Sequence, residues 1–236
     1  MNTTPQPKDI DVVILAGGLG TRIKSVIKDV PKVMAPINGK PFIDLLIENL
    51  SQQGFTKIVL CVGYMKDKII NHYRDWKHVD IVISSEETPL GTAGAIKNAE
   101  RFIHSDNFIV LNGDSFCNFQ YIDLIKFHLS KKSALSVVVS KIEETKDYGQ
   151  IGLNKQKQIV SFCEKTITQE VEYTNSGIYC YNKIILSHIP KNKKYSNEYE
   201  LFPAMIKSYK CYGFISNSKF WDIGTPERYD KFKIVR

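Results

Sequence analysis

The residues Leu15-Ala16-Gly17-Gly18-Leu19-Gly20-Thr21-Arg22 place three glycines in four positions, directly after the apolar run Asp11 to Leu15. A glycine-rich turn at the carboxyl end of a strand lets backbone N–H groups approach phosphate oxygens without interference from a Cβ. Two familiar phosphate loops fail on spacing. The dinucleotide fingerprint GxGxxG needs glycine where Ile23 stands, and the P-loop needs Gly-Lys where Arg22-Ile23 stands. A phosphate loop of another kind is left. Further along, Asp114 ends an Asn-Gly-Asp sequence just after the apolar run Phe108 to Leu111. That is the carboxyl end of a strand, where open α/β sheets bind ligands, although Asn-Gly-Asp alone is equally a plain turn.

No other pattern competes for the chemistry. The five cysteines, Cys61, Cys117, Cys163, Cys180 and Cys211, include no CxxC pair, and the five histidines form no HxH or HExxH pattern. Neither a zinc site nor a disulfide framework is expected, and the thiols read as reduced core hydrophobes. The chain carries 32 basic and 25 acidic residues, a net charge of +7. Its lysines are scattered, so no nucleic-acid partner is expected, while anionic metabolites stay compatible.

These residues need a scaffold to hold them. A chain of 236 residues with 43% hydrophobic and 24% charged residues has the composition of a soluble globular protein, not a disordered or coiled-coil one. No apolar run approaches the ~20 residues of a membrane span. Met1 to Asp9 lacks the apolar core of a signal peptide, so a cytoplasmic protein with no membrane partner is expected. Apolar runs alternate with amphipathic stretches as in repeated βαβ units. Strands are predicted over Asp11 to Leu15, Lys57 to Val62, Ile81 to Ser84, Phe108 to Leu111 and Ala134 to Ser140. Helices are predicted from Pro41 to Gly54, around Asp67 to Tyr73 and Thr92 to Arg101, and over Tyr121 to Ser130. The second half is strand-rich: a hairpin from Gln150 to Leu153 and Gln158 to Cys163, strands at Gly177 to Tyr181 and Tyr212 to Ile215, and a helix from Glu198 to Tyr209.

The glycine loop followed by Pro31-Lys32 resembles the signature of the sugar-phosphate nucleotidyltransferases, the nucleotide-sugar pyrophosphorylases. The likeness continues through Gly39-Lys40-Pro41, Pro89-Leu90-Gly91-Thr92-Ala93-Gly94-Ala95, Asn112-Gly113-Asp114, Tyr148-Gly149, Glu164-Lys165, Asn175-Ser176-Gly177-Ile178-Tyr179 and Trp221-Asp222-Ile223-Gly224-Thr225-Pro226. Many members carry Arg-x-x-Pro-Leu-Thr after the loop. This chain has Arg22-Ile23-Lys24-Ser25-Val26-Ile27-Lys28-Asp29-Val30 instead, which is similar to the bacterial D-glycero-α-D-manno-heptose 1-phosphate guanylyltransferases. The resemblance implies an α/β fold, a Rossmann-like three-layer sandwich around a mixed, mostly parallel sheet. It implies one domain over residues 1–236: a flexible tail at 1–8, a nucleotide-binding half over 9–115 and a sugar-phosphate half over 116–236.

The chemistry so implied needs no protein nucleophile. A sugar 1-phosphate oxygen attacks the α-phosphorus of GTP and pyrophosphate leaves, so positioning and charge neutralisation do the catalysis. In that scheme Arg22 and Lys32 hold the triphosphate, Lys165 grips the sugar phosphate and Glu164 accepts from sugar hydroxyls. Gly149 and Asn175 complete the sugar pocket through a backbone N–H and a side-chain amide. Leu15, Ala16, Gly17, Gly18, Gly20, Thr21, Gly91 and Thr92 line the nucleotide site. Asp114 and Asp222, matching the family's metal ligands, imply Mg²⁺. A homodimer is compatible with the family.

Glu86 stands five residues before Gly91, where relatives that use thymidine or uridine triphosphate place Gln. A carboxylate only accepts hydrogen bonds, and guanine offers adjacent donors at N1–H and its exocyclic amine. Glu86 is therefore the expected base reader, the other reading being a polar loop residue beside Glu87. The rivals are a mannose-1-phosphate guanylyltransferase, a uridylyltransferase and a non-catalytic nucleotide-sugar sensor on the same fold. The few residues after Asp222 leave no room for a hexapeptide-repeat domain, so only a transferase core is expected.

Overall fold

A computed structural model describes residues 5–141, 148–163 and 172–235. The first half runs β1 (Val12–Ala16), a small hairpin of β2 (Pro36–Ile37) and β3 (Lys40–Pro41), α1 (Phe42–Gln52), β4 (Lys57–Val62) and α2 (Lys66–Tyr73). It continues with β5 (Asp80–Ser85), α3 (Gly91–Asn98), β6 (Asn107–Asn112), β7 (Ser115–Cys117) and α4 (Tyr121–Ser130). The second half holds β8 (Leu135–Lys141), β9 (Gln150–Leu153), β10 (Ile159–Cys163), β11 (Tyr173–Asn182), α5 (Phe202–Ser208), β12 (Cys211–Ile215), β13 (Phe220–Asp222) and α6 (Pro226–Val235).

Among the described residues nine strands form one sheet, in the order β10-β9-β11-β6-β1-β4-β5, with β8 beside β11 and β12 beside β8. Strands β6, β1, β4 and β5 run parallel, and β11 turns the sheet mixed by pairing antiparallel with both β6 and β8. The period of two along each strand sends alternate apolar residues to opposite faces. Val12, Ile14, Ile58, Leu60, Ile109 and Leu111 join one core, with Phe42 and Leu46 of α1, Leu124 of α4 and Phe232 of α6. Val13, Val59, Phe108 and Val110 join the other, with Ile96 of α3 and Phe202 of α5. Both faces are covered, which makes the expected three-layer α/β/α sandwich. Cys61, Cys117, Cys180 and Cys211 are buried free thiols, each pushed up by burial, as core hydrophobes should be. No helix among the described residues is long and apolar enough to cross a membrane.

The helix expected over Glu198 to Tyr209 is split. Its first turn, Asn197–Leu201, is a π-helix capped by Ser196 Oγ, and α5 begins only at Phe202. Pro203 lies at the junction; it has no N–H for the carbonyl four residues back, and its ring crowds that carbonyl, so a wider turn precedes it. Five elements had no counterpart in the sequence reading: the β2–β3 hairpin, the ribbon strands β7 and β13, which pair antiparallel, and α6. Pro7 and Lys8, at the end of the expected tail, form a 3-10 turn with Asp9.

Asp11, ahead of β1, ties the sheet to the segment before β6. It is buried, accepts from the backbone N–H of His104 at 2.5 Å and of Ser105 at 2.8 Å, and pairs with Lys57 Nζ at 2.9 Å. Burial alone would raise its carboxyl, but Lys57 and the two amides hold it below the ordinary 3.8. A carboxylate with a depressed native pKa stabilises the fold above its unfolded value and loses that contribution as pH falls through the native one. Asp11→Ala should therefore lower stability by about 2–4 kcal/mol at neutral pH and flatten the acid limb of unfolding. Urea titrations at pH 7 and pH 3 check this.

Candidate active site

The β7–β13 ribbon brings the two predicted carboxylates together. Ser115 pairs with Asp222 across it, so Asp114 precedes Asp222's partner, and the Ile223 N–H donates to the Asp114 carbonyl at 3.0 Å. Asp114 is in contact with Lys32 Nζ and accepts from Ser115 Oγ at 3.2 Å. Burial would raise its carboxyl, but Lys32 outweighs this and holds it below the ordinary value. Asp222 differs. Burial pushes it above the ordinary range, Arg228 at 3.4 Å offsets part of this, and the charge on Asp114 adds to it. Its other partners are the Tyr148 hydroxyl and the Gly224 N–H, the latter at 2.7 Å.

At the carboxyl ends of β1, β4 and β6 lies a cavity of about 540 Å³. Of the predicted nucleotide-site residues, Leu15, Gly17, Gly18, Lys32, Glu86, Gly91, Thr92 and Asp114 line it. Ala16 does not, being buried within β1. Gly20 lines a smaller neighbouring cavity, while Thr21 and Arg22, exposed on the 3-10 turn Thr21–Ile23, wall neither. Arg22 Nη2 instead lies 3.2 Å from where a Cβ on Gly224 would sit, on the Asp222 side.

Gly17 has a second reason to be glycine. Its Cβ would lie 3.1 Å from Glu86 Oε1, and a Cβ on Gly63 would lie 2.6 Å from the same oxygen. The carboxylate fills the space that two absent side chains leave. Glu86 Oε2 accepts from the Leu90 N–H at 3.1 Å, whereas Oε1 has no hydrogen-bond partner among the described residues. No cation there pairs with Glu86, and burial raises its pKa.

Of the residues expected to hold the sugar, the structure unites Gly149 and Asn175: the Asn175 N–H donates to the Gly149 carbonyl at 2.8 Å. The register between β11 and β8 breaks between Asn175 and Tyr179, and the Asn175 side chain holds this bulge together. Its Oδ1 accepts from the Gly177 N–H and its Nδ2 donates to the Tyr179 hydroxyl, each at 2.9 Å. Gly177, at a φ of 68°, packs closely on Asn112 and Ser115 beside Asp114. Glu164 and Lys165 lie outside the described residues.

Sequence reasoning assigned no role to Gly63, Tyr64, Lys66, Lys194, Tyr148 or Arg228, which line the cavity or hold Asp222. Gly63-Tyr64 directly follows β4 as Gly17-Gly18 follows β1, a parallel that was legible; Lys194 sits in a loop with no pattern around it.

The nucleotidyl transferase family model matches residues 11–233. The chain belongs to that family. A D-glycero-alpha-D-manno-heptose 1-phosphate guanylyltransferase from Campylobacter jejuni is 38% identical over 95% of this chain and 99% of its own length. A mannose-1-phosphate guanylyltransferase from Mycobacterium tuberculosis is 29% identical over 92% of this chain and 62% of its own. Among solved structures, HddC from Yersinia pseudotuberculosis complexed with GMP-PN superposes with a TM-score of 0.83 at 38% identity, covering 94% of this chain and 97% of that one.

For this family member the donor set fits a hard divalent cation. Asp114 lies close enough to Asp222 for its charge to add to the raised proton affinity of Asp222, a repulsion that a divalent cation relieves. Mg²⁺ is an ion held by one or two carboxylates that completes its shell with phosphates and water. Bound there, it would neutralise charge on the reacting phosphates. Asp114→Asn and Asp222→Asn should each lower Mg²⁺-dependent pyrophosphate release by roughly 100-fold or more while thermal unfolding stays near wild type. Near-normal rates in either variant would remove that residue from the site.

Proposed function

We propose that the protein transfers GMP from GTP to D-glycero-α-D-manno-heptose 1-phosphate, giving GDP-heptose and pyrophosphate for surface-polysaccharide synthesis in the cytoplasm. The attacking sugar-phosphate oxygen forms a bond to the α-phosphorus. The bond from that phosphorus to the β-bridging oxygen breaks, and pyrophosphate leaves with the electron pair. Lys32, beside Asp114, offsets charge at the α-phosphate. Arg22 serves the phosphates from the Asp222 side. Lys165 and Glu164 hold the sugar phosphate and sugar hydroxyls on the strength of their motif, with Gly149 and Asn175 beside them.

The observation that carries the choice of base is Glu86: a half-buried carboxylate, facing the cavity, with an oxygen that no described donor satisfies. Guanine supplies two adjacent donors for it. Uracil and thymine present one N–H between two carbonyl oxygens, which a carboxylate repels. The identity to heptose 1-phosphate guanylyltransferases supports the sugar.

Pyrophosphate release over a matrix of GTP, UTP and dTTP against heptose, mannose and glucose 1-phosphates tests the reading. Turnover is expected with GTP and the heptose; preference for mannose would support the mannosyl rival, and no turnover with any pair the sensor. Glu86→Gln should lose about 1.5–3 kcal/mol of GTP binding and narrow the preference over UTP. The ionised form is the one that accepts both donors and its pKa is raised, so wild-type KM for GTP should rise on acidification at a pH above the ordinary 4.5. In Glu86→Gln that acid limb should disappear.

A further inference from the structure

Helix α3 does not start alone. Residues 193–198, which run into the π-helix of Asn197–Leu201, lie against its first turn. The two groups that an α-helix would pair with each other there both bond Tyr195. The Leu90 carbonyl accepts from the Tyr195 N–H at 2.8 Å, and the Gly94 N–H donates to the Tyr195 carbonyl at 3.0 Å. Two glycines admit so close an approach. A Cβ on Gly91, at a φ of 73°, would lie 2.7 Å from the Tyr195 carbonyl oxygen, and one on Gly94 would lie 2.7 Å from that of Lys193. Thr92 locks the segment in place. Its Oγ1 accepts from the Asn197 N–H at 2.7 Å and donates to Glu198 Oε2 at 3.0 Å, and that carboxylate oxygen also accepts from Ser196 Oγ at 2.8 Å. A hydroxyl has one proton, so Thr92 lines the large cavity with none left to donate to a nucleotide. The segment is held against a cost. Asn197 is fully buried, and neither polar atom of its side chain has a partner among the described residues.

The same connection ends at Glu86. Its Oε2 accepts from the Leu90 N–H at 3.1 Å, and Leu90 is the residue whose carbonyl the segment grips. We propose that residues 193–198 set the carboxylate of Glu86 for the base, with Glu198 and Thr92 as positioning residues that act through Leu90. This rests on the reading of Glu86 as the residue that selects guanine. Among the described residues the Leu90 N–H is the one hydrogen-bond donor to that side chain, so the direction of the carboxylate follows Leu90. Hydrogen bonds weaken steeply with misalignment, and Oε1 has two adjacent donors of a flat ring to meet. A small turn of Leu90 therefore costs contacts to guanine and leaves a base without those donors little affected. Thr92 and Glu198 are 106 residues apart, so the second half of the chain steers base choice in the first.

The test is titration of GTP and UTP, without sugar phosphate, into wild type, Glu198→Ala, Glu198→Gln, Thr92→Val, Glu86→Gln and the double variant Glu86→Gln/Glu198→Ala. Thermal unfolding is run alongside. Glu198→Ala and Thr92→Val should each weaken GTP roughly 3–10-fold, the worth of about one hydrogen bond, and narrow its preference over UTP. Glu198→Gln keeps an acceptor oxygen for Thr92 and Ser196 and should recover most of the loss. In the Glu86→Gln background Glu198→Ala should cost no further selectivity, because the carboxylate it positions is gone. Wild-type selectivity in both Glu198→Ala and Thr92→Val overturns the proposal. So does a loss that persists in full in the double variant, or an equal weakening of GTP and UTP, since either means a general disturbance of the turn. Glu86→Gln alone judges the base reading. If it keeps wild-type GTP affinity, that reading fails and the positioning with it, whereas a loss there with none in Glu198→Ala overturns the positioning alone.

Discussion

Asp114 and Asp222 repel each other in a partly desolvated setting, and much of the chain serves to keep them together. The two groups meet opposite fates: Lys32 holds Asp114 ionised, whereas burial, with the charge of Asp114 adding to it, pushes Asp222 towards its protonated form despite Arg228. Left to local preference the two would separate. The β7–β13 ribbon prevents this with backbone pairing that ignores side-chain charge. Gly224 allows Asp222 to fold back onto its own loop, since a Cβ there would stand 2.6 Å from Oδ1. Helix α6 then pins β13 to the core through Phe232, which stacks near Trp221 and Phe42. The helix is thus a structural support for one carboxylate.

A second burial of charge is organised differently. Asp114 has its cation within the chain, and Glu86 has none among the described residues. Desolvating an unpaired carboxylate disfavours the folded state unless a ligand completes it. Oε1 therefore holds in reserve an interaction that binding releases, and selectivity for a donor-bearing edge follows from the same cost. Gly17 and Gly63 make it possible by leaving room for the carboxylate at the ends of two adjacent parallel strands. The glycine loop thus serves the base as well as the phosphates.

What was legible in the sequence follows from how far the determining contacts reach. Strand β4 and helix α4 stand at the predicted bounds, because period-two and helical spacing are written in consecutive residues. Helix α6 was missed because Tyr229 and Phe232 are its only buried residues among charged neighbours, although Thr225-Pro226-Glu227 carries a helix start. The ribbon strands are three residues each, too short for a periodic signal. At the site, the motifs carried Asp114, Asp222 and Lys32, which the structure brings together, since these sit next to glycines and prolines with local signatures. The Glu86–Gly63 packing was hidden because it forms across two parallel strands, and Arg22 faces Asp222 only because of how its turn is set by Gly20. The scattered +7 charge looked like a solvated surface; only the folding of residues 24–32 against Tyr64 gathers three of those lysines onto one cavity.

That gathering gives the two neighbouring cavities a direction. At one end stands an unpaired carboxylate among Leu15, Cys61 and Ala95, a setting that accepts a flat ring carrying hydrogen-bond donors. At the other stand Lys24 and Lys28, in a cavity that no acidic residue lines, with Lys32 pairing to Asp114 beside it. A guanosine triphosphate has donors at one end and three phosphates at the other, so one orientation satisfies both and the reverse sets phosphate against Glu86. Like charges at that contact repel by several kcal/mol at the effective dielectric of a partly buried site, about 4 kcal/mol at 4 Å. The reversed pose is thereby excluded before any shape complementarity is invoked. In the proposed transfer, that orientation would bring the α-phosphate to Lys32, which lines both cavities and pairs with Asp114.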